Sequence, residues 1–264
     1  MTRPHYGVRG DGPVLLVVPG GAGHPGGLDA MTEPLTAHFT VVTYDPLGLA
    51  HGRLGLPVEE QRVEKWSEGA WRVLQEVLPD GESAYVFGAS SGGITALDLL
   101  ARHPERLRHV VAHEPPVVDV LPDAARQHAM FADVCDTYRR AGLQAAGARM
   151  AAGLEEKEPS PLPTEGQPPS EEETLATPMA VFLSRVLQPF SSHKPDLSAL
   201  KAAPLTLAAG VDSRGGLLHR TASVTAELTG SRFAEFPGGH VGALEHPREF
   251  GARLMKALRG LGGQ

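Results

Sequence analysis

The side chains best placed to do chemistry in this 264-residue chain are one serine, one histidine and two acids. Ser90 sits in Gly88-Ala89-Ser90-Ser91-Gly92, a G-x-S-x-G string between an apolar run and a helix-like segment. A chain turning sharply from strand into helix brings its backbone close together, and Gly88 and Gly92 lack the Cβ that would obstruct it. The serine hydroxyl is pushed out at the turn. The helix start beside it offers free N–H groups and a positive dipole end, which suit a developing oxyanion. In a chain with 31 Gly the bare string is weak. A serine that only caps a helix carries the same letters, so context must decide.

A hydroxyl is a poor nucleophile until a base removes its proton. Of 12 histidines, His240 in Pro237-Gly238-Gly239-His240 follows an apolar run directly and stands on a glycine-flexed loop. His246 opens the closing helix and reads as structural; His24 follows the first glycine turn, where it is placed to line a pocket. The base in turn needs a carboxylate that fixes its tautomer. Asp212, in Ala209-Gly210-Val211-Asp212, gives the chain order Ser90, Asp212, His240 expected of such a site. Glu114, in His113-Glu114-Pro115-Pro116, is the rival: an alternative acid, a second acid on His240, a substrate contact or an anchor. Asp212 is preferred. Oxyanion donors are expected from the N–H groups of Ser91 and Gly21, with Ala22 as second choice for the latter. The turn Pro19-Gly20-Gly21-Ala22-Gly23 lacks the spacing of a phosphate-binding loop.

The elements that must position these groups alternate. Strands are expected at Val14–Val18, Val41–Tyr44, Ala84–Phe87, Val110–Ala112, Leu205–Ala209 and Phe233–Phe236, each an apolar run ended by turn residues. Helical spacing is expected over 58–78, 91–102, 215–229 and 247–258. This is an α/β class chain, with a mostly parallel, doubly wound sheet covered on both faces. After the fourth predicted strand the rhythm breaks. Residues 119–195 are expected to form a helical lid insertion with an acidic, proline-rich segment, set between core segments 1–118 and 196–264. Such a lid would stand over the strand C-termini, where open α/β sheets place ligands.

Bulk properties narrow the partners. A net charge of −7, with no Lys/Arg-rich run, argues against nucleic acid. No apolar run approaches membrane-spanning length. The single cysteine, Cys135, excludes an internal disulfide and a multi-cysteine metal site and fits a reducing compartment. A cytoplasmic protein with a small-molecule substrate is expected. Oligomeric state is not encoded legibly.

Together, Val17-Val18-Pro19-Gly20-Gly21, Val42-Thr43-Tyr44-Asp45-Pro46-Leu47-Gly48, Val86-Phe87-Gly88-Ala89-Ser90-Ser91-Gly92-Gly93, Ala209-Gly210-Val211-Asp212 and Pro237-Gly238-Gly239-His240 resemble the α/β-hydrolase superfamily. The resemblance covers about 13–118 and 198–259. Arg102-His103-Pro104-Glu105-Arg106 with His113-Glu114-Pro115-Pro116 is similar to a group of esterase-like bacterial hydrolases of undefined substrate. The resemblance implies a serine–histidine–acid site, a cofactor-free mechanism and a lid-shaped pocket; the expected activity is a serine hydrolase, without a metal, acting on a small or medium ester, lactone or thioester. The same pocket would also suit a lyase, a C–C hydrolase or a cyclising enzyme, and a non-catalytic receptor is the remaining reading. Two departures stand out: Pro19 replaces the usual histidine of the first glycine turn, and Asp45 to Gly52 departs from Asp-x-x-Gly-x-Gly-x-Ser. The short N-terminus leaves room for fewer than eight strands.

Overall fold

Continuous β-branched and apolar runs without alternation belong in strands buried on both faces, and here they form the centre of a seven-stranded sheet. The computed structural model describes residues 5–22, 25–46, 58–158, 168–170 and 172–260. The strands are β1 (His5–Arg9), β2 (Val14–Val18), β3 (Thr40–Asp45), β4 (Ala84–Ala89), β5 (Leu107–His113), β6 (Leu205–Gly210) and β7 (Arg232–Phe236), in spatial order β1-β3-β2-β4-β5-β6-β7. All neighbours are parallel except β1, which runs antiparallel to β3 with His5 opposite Asp45. Every residue of β2 and β6 is buried, whereas the edge strand β1 is largely exposed. That exposure explains why β1 is absent from the sequence reading: His-Tyr-Gly-Val-Arg carries no apolar run.

The principal helices are α1 (Val63–Val77), α2 (Ser91–Arg102), α3 (Ala124–Leu154), α4 (Leu217–Thr229) and α5 (Pro247–Leu258). Helix α1 begins later than position 58 because Arg62 is still extended (φ −137°, ψ 148°). Residues of α1, α2 and α4 share one buried cluster with β2, β4 and β6. The opposite face is covered by α5 and the short turns around Met31 and Leu35. The chain leaves β2 toward β3 on one side and returns to β4 on the other. The C-terminal ends of β2 and β4, with Val18 opposite Gly88, therefore flank the point where winding reverses. That crevice is where such a sheet binds ligands.

Between β5 and β6 every described element is helical. Helix α3 breaks at Gly142, whose φ of 78° no regular helix accommodates. A second helical run follows, made of Pro178–Val181, Phe182–Val186 with π-helical geometry, and Leu187–Ser191. Thr177 opens it, accepting the Ala180 N–H at 3.1 Å. Arg220 on α4 ties both ends of α3 to the core. It donates to Asp123 Oδ1 at 2.7 Å and to Glu156 Oε1 at 2.8 Å. A Cβ on Gly216 would stand 2.9 Å from the Leu154 carbonyl oxygen, so glycine lets the end of α3 settle there. No described helix is long and apolar enough to cross a membrane. Among the described residues no group of three or more His, Cys, Asp or Glu is arranged to hold a metal ion.

Candidate active site

The strand-to-helix turn has the strained form that its glycines foreshadow. Ser90 adopts φ 53°, ψ −120° between β4 and α2, a conformation that costs a non-glycine residue about 1–3 kcal/mol. Main-chain bonds hold it there. The Ser90 N–H donates to the His113 carbonyl at 2.8 Å, and the Ser90 carbonyl accepts the Ile94 N–H at 3.1 Å. A Cβ on Gly88 would strike the Gly92 carbonyl, and one on Gly92 would strike the Val18 and Pro19 carbonyls. Only glycine fits at either position.

Glu114 comes next along the rim and is also strained, at φ 47°. Its N–H donates to the Ala208 carbonyl at 2.8 Å, which fixes the residue against β6. The side chain is completely buried. Its Oε1 accepts the Gly210 N–H at 2.9 Å, and its Oε2 contacts His240 Nδ1 at 2.8 Å. Burial alone would raise the Glu114 pKa. The bond from His240, the neighbouring His113 and His240 charges and the Ser213 hydroxyl outweigh burial and lower it to about 2. Burial likewise holds His113 down at about 4, so at neutral pH that ring is uncharged and the His240 and Ser213 bonds carry the effect. An ionised carboxylate can only accept, so Nδ1 of His240 bears the hydrogen and Nε2 is left as the basic nitrogen.

His240 reaches this position from the loop after β7. Gly238 takes φ 75°, and its carbonyl accepts the Asp212 N–H at 3.0 Å. The expectation that Asp212 is the acid partner of His240 is corrected here. Asp212 lies in the exposed turn Val211–Ser213, and its link to the histidine loop is through main chain alone. The place beside the imidazole is filled by Glu114, reaching across from the end of β5 through the gap above β6.

The structure brings Ser90, Ser91, Gly21 and His240 onto one cavity of about 380 Å³. Ser91 opens α2, so its N–H is one of the helix's unpaired donors. Gly21 is buried opposite it; a Cβ there would run into the Phe182 ring and come within 2.9 Å of Ser91 Oγ. Ala22 lines the same cavity. The remaining wall comes largely from the helical insert, through Phe131, Met150, Met179, Phe182 and Phe190. None of these was singled out from the sequence, because an apolar residue facing a cavity looks like one facing a core. His24 and the turn at 47–52 lie outside the described residues.

The model of the alpha/beta hydrolase fold family matches residues 13–247. The chain is 32% identical over 261 residues to the uncharacterized hydrolase YraK of Bacillus subtilis (strain 168), covering 96% of this chain and 92% of that protein. It is 27% identical over 270 residues to a zearalenone hydrolase of Bionectria ochroleuca, covering 97% and 93%. Among solved structures it superimposes on a malate-bound thermophilic esterase from Thermogutta terrifontis with TM-score 0.70 at 17% identity, covering 98% and 94%. It superimposes on the enol-lactonase from Burkholderia xenovorans LB400 with TM-score 0.67 at 16% identity, covering 97% and 96%. At those identities the two structures share its fold.

Proposed function

The chain belongs to the α/β-hydrolase family, and from that premise we propose that it is a serine hydrolase cleaving a small or medium ester, lactone or thioester through an acyl-enzyme on Ser90. The observation that carries the reading is the buried Glu114–His240 contact of 2.8 Å, on the same rim as a serine held at φ 53°. Nε2 of His240 takes the proton as Ser90 Oγ attacks the carbonyl carbon. The carbonyl oxygen becomes an oxyanion, held by the N–H groups of Ser91 and Gly21. The bond to the leaving group then breaks, and the leaving oxygen or sulfur takes the proton from His240. Water repeats the sequence on the acyl-enzyme: His240 accepts its proton, hydroxide oxygen bonds the acyl carbon, and Ser90 Oγ leaves with the proton returned. Glu114 stays ionised throughout and keeps the imidazole in one tautomer. The helical insert acts as a lid that excludes water.

The family resemblances to an esterase and an enol-lactonase support open-chain and cyclic esters as the substrate class. A single buried cysteine, Cys135, supports a cytoplasmic location. A fluorophosphonate probe followed by mass spectrometry tests the reading. The expected result is one adduct on Ser90, lost in Ser90→Ala; folded protein that takes no adduct at Ser90 refutes it.

A further inference from the structure

Resting on that reading, we infer that the substrate is uncharged and apolar on both flanks of its reacting carbonyl, with no carboxylate or ammonium group entering the cavity. The cavity's 23 described lining residues include no Lys, Arg, Asp or Glu and no side-chain amide. Its side-chain polar atoms are the hydroxyls of Ser90, Ser91 and Ser191 and the ring of His240. Ser90 and His240 are the proposed reacting groups, the Ser91 hydroxyl lies against Gly21 beside them, and the Ser191 hydroxyl donates to the Gln188 carbonyl at 3.2 Å. Glu114 stands behind His240 without exposure, already bonded to Gly210 and His240, so it cannot receive an ammonium group.

The apolar walls differ in origin. On one side stand Phe131, Phe182, Leu187 and Phe190 of the insert, all in the cluster that fills the α1–α2–α4 face. Phe190 is fixed edge-to-face on Trp66 with ring centroids 4.7 Å apart, so this wall is firm. On the other side stand Leu28 and Ala243, which belong to the separate α5 cluster, and the exposed Val241 and Leu244 at the mouth. Ser90 therefore lies between two apolar surfaces, one for each flank of a carbonyl. A charged group carried into either would lose its water and find no charged partner among the described lining residues, a penalty that neutral groups escape. A volume near 380 Å³ falls at the small end of ligand cavities, which fits medium chains.

Calorimetric binding to Ser90→Ala reads the cavity without chemistry. The ligands are methyl octanoate and monomethyl suberate, the same ester ending in a carboxylate. Methyl octanoate is expected to bind at least about 100-fold more tightly. In Ser90→Ala/Met150→Arg, with a cation on the half-buried insert wall, that ratio is expected to fall at least about 10-fold. Should the arginine at 150 impair folding, Leu244→Arg at the exposed mouth serves in its place. Equal or tighter binding of the suberate ester overturns the inference, as does a ratio that neither arginine moves. Fluorophosphonate labelling of the wild type is read separately. Selective binding without a Ser90 adduct refutes the serine chemistry and keeps the substrate class; an adduct with unselective binding does the reverse.

Discussion

The rim of the sheet and the helical insert build the two halves of one cavity by different physics. At the rim, main chain decides. Ser90 and Glu114 both sit at positive φ, both are held by N–H bonds of 2.8 Å to the neighbouring strand, and Gly88, Gly92 and Gly210 are there because backbone lies where a Cβ would be. In the insert, side chains decide. Helix α3 is interrupted at Gly142, the second run passes through a π-helical turn, and what reaches the cavity is mostly rings, thioethers and leucine side chains. The contrast teaches that reacting groups need geometry that only a constrained backbone supplies, while the substrate's body needs only shape and polarity. Rim changes are therefore expected to damage turnover, and insert changes to shift stability or selectivity.

The sharpest way to break that contrast is at the acid. Glu114→Gln is expected to reduce kcat/KM by about 10⁴-fold, because the amide can offer its N–H and release the tautomer of His240. Asp212→Asn, on the exposed turn, is expected to stay within about 3-fold, since its link to the loop is through main chain. Steady-state kinetics on an ester both enzymes accept compares them. At Gly21 the expected loss is smaller. Gly21→Ala drives a methyl group into the Phe182 ring and displaces the N–H proposed as one oxyanion donor, so kcat is expected to fall by about 100-fold with Ser90 labelling retained.

Farther from the chemistry, Arg220→Met releases both ends of α3 from α4. The pairs are partly solvated, so the expected cost is about 1 kcal/mol, read by urea unfolding, with faster proteolysis between 123 and 156. The smallest effect concerns His113, packed against Phe250 with its Nε2 lacking a partner among the described residues. Its pKa of about 4 lies below the unfolded value, so the unfolded chain takes up this proton first as pH falls. Stability is then lost between about pH 6.5 and pH 4. His113→Phe is expected to shrink the difference in unfolding free energy between pH 7 and pH 5 by about 1–2 kcal/mol. Glu114 adds acid lability lower still: its stabilisation is complete above the ordinary carboxylate pKa of about 4.5 and is lost as pH falls toward about 2.

The rim was legible in the sequence wherever a residue type has one physical use. Gly-x-Ser-x-Gly after an apolar run announces the strained turn at Ser90, and a histidine on a glycine loop after the last strand announces the ring that meets Glu114 on the same rim. The acid was not settled, because serine, acid, histidine is the chain order for Glu114 as well as for Asp212. What separates them is the direction of a side chain at φ 47° and the placement of β5 beside β6, neither of which local pattern encodes. The edge strand β1 escaped because a half-exposed five-residue strand has no apolar signature. The insert was recognisable as helical from its length and lack of strands. Its cavity-facing residues were not, since burial against a void and burial against a core demand the same side chains.

The Glu114–His240 bond is measured most directly by proton NMR of the histidine ring in water. We expect a strongly low-field Nδ1–H resonance, assigned to His240 through its loss in His240→Ala, that persists in Asp212→Asn and disappears in Glu114→Gln. A resonance that survives Glu114→Gln and vanishes in Asp212→Asn would contradict this account of the site.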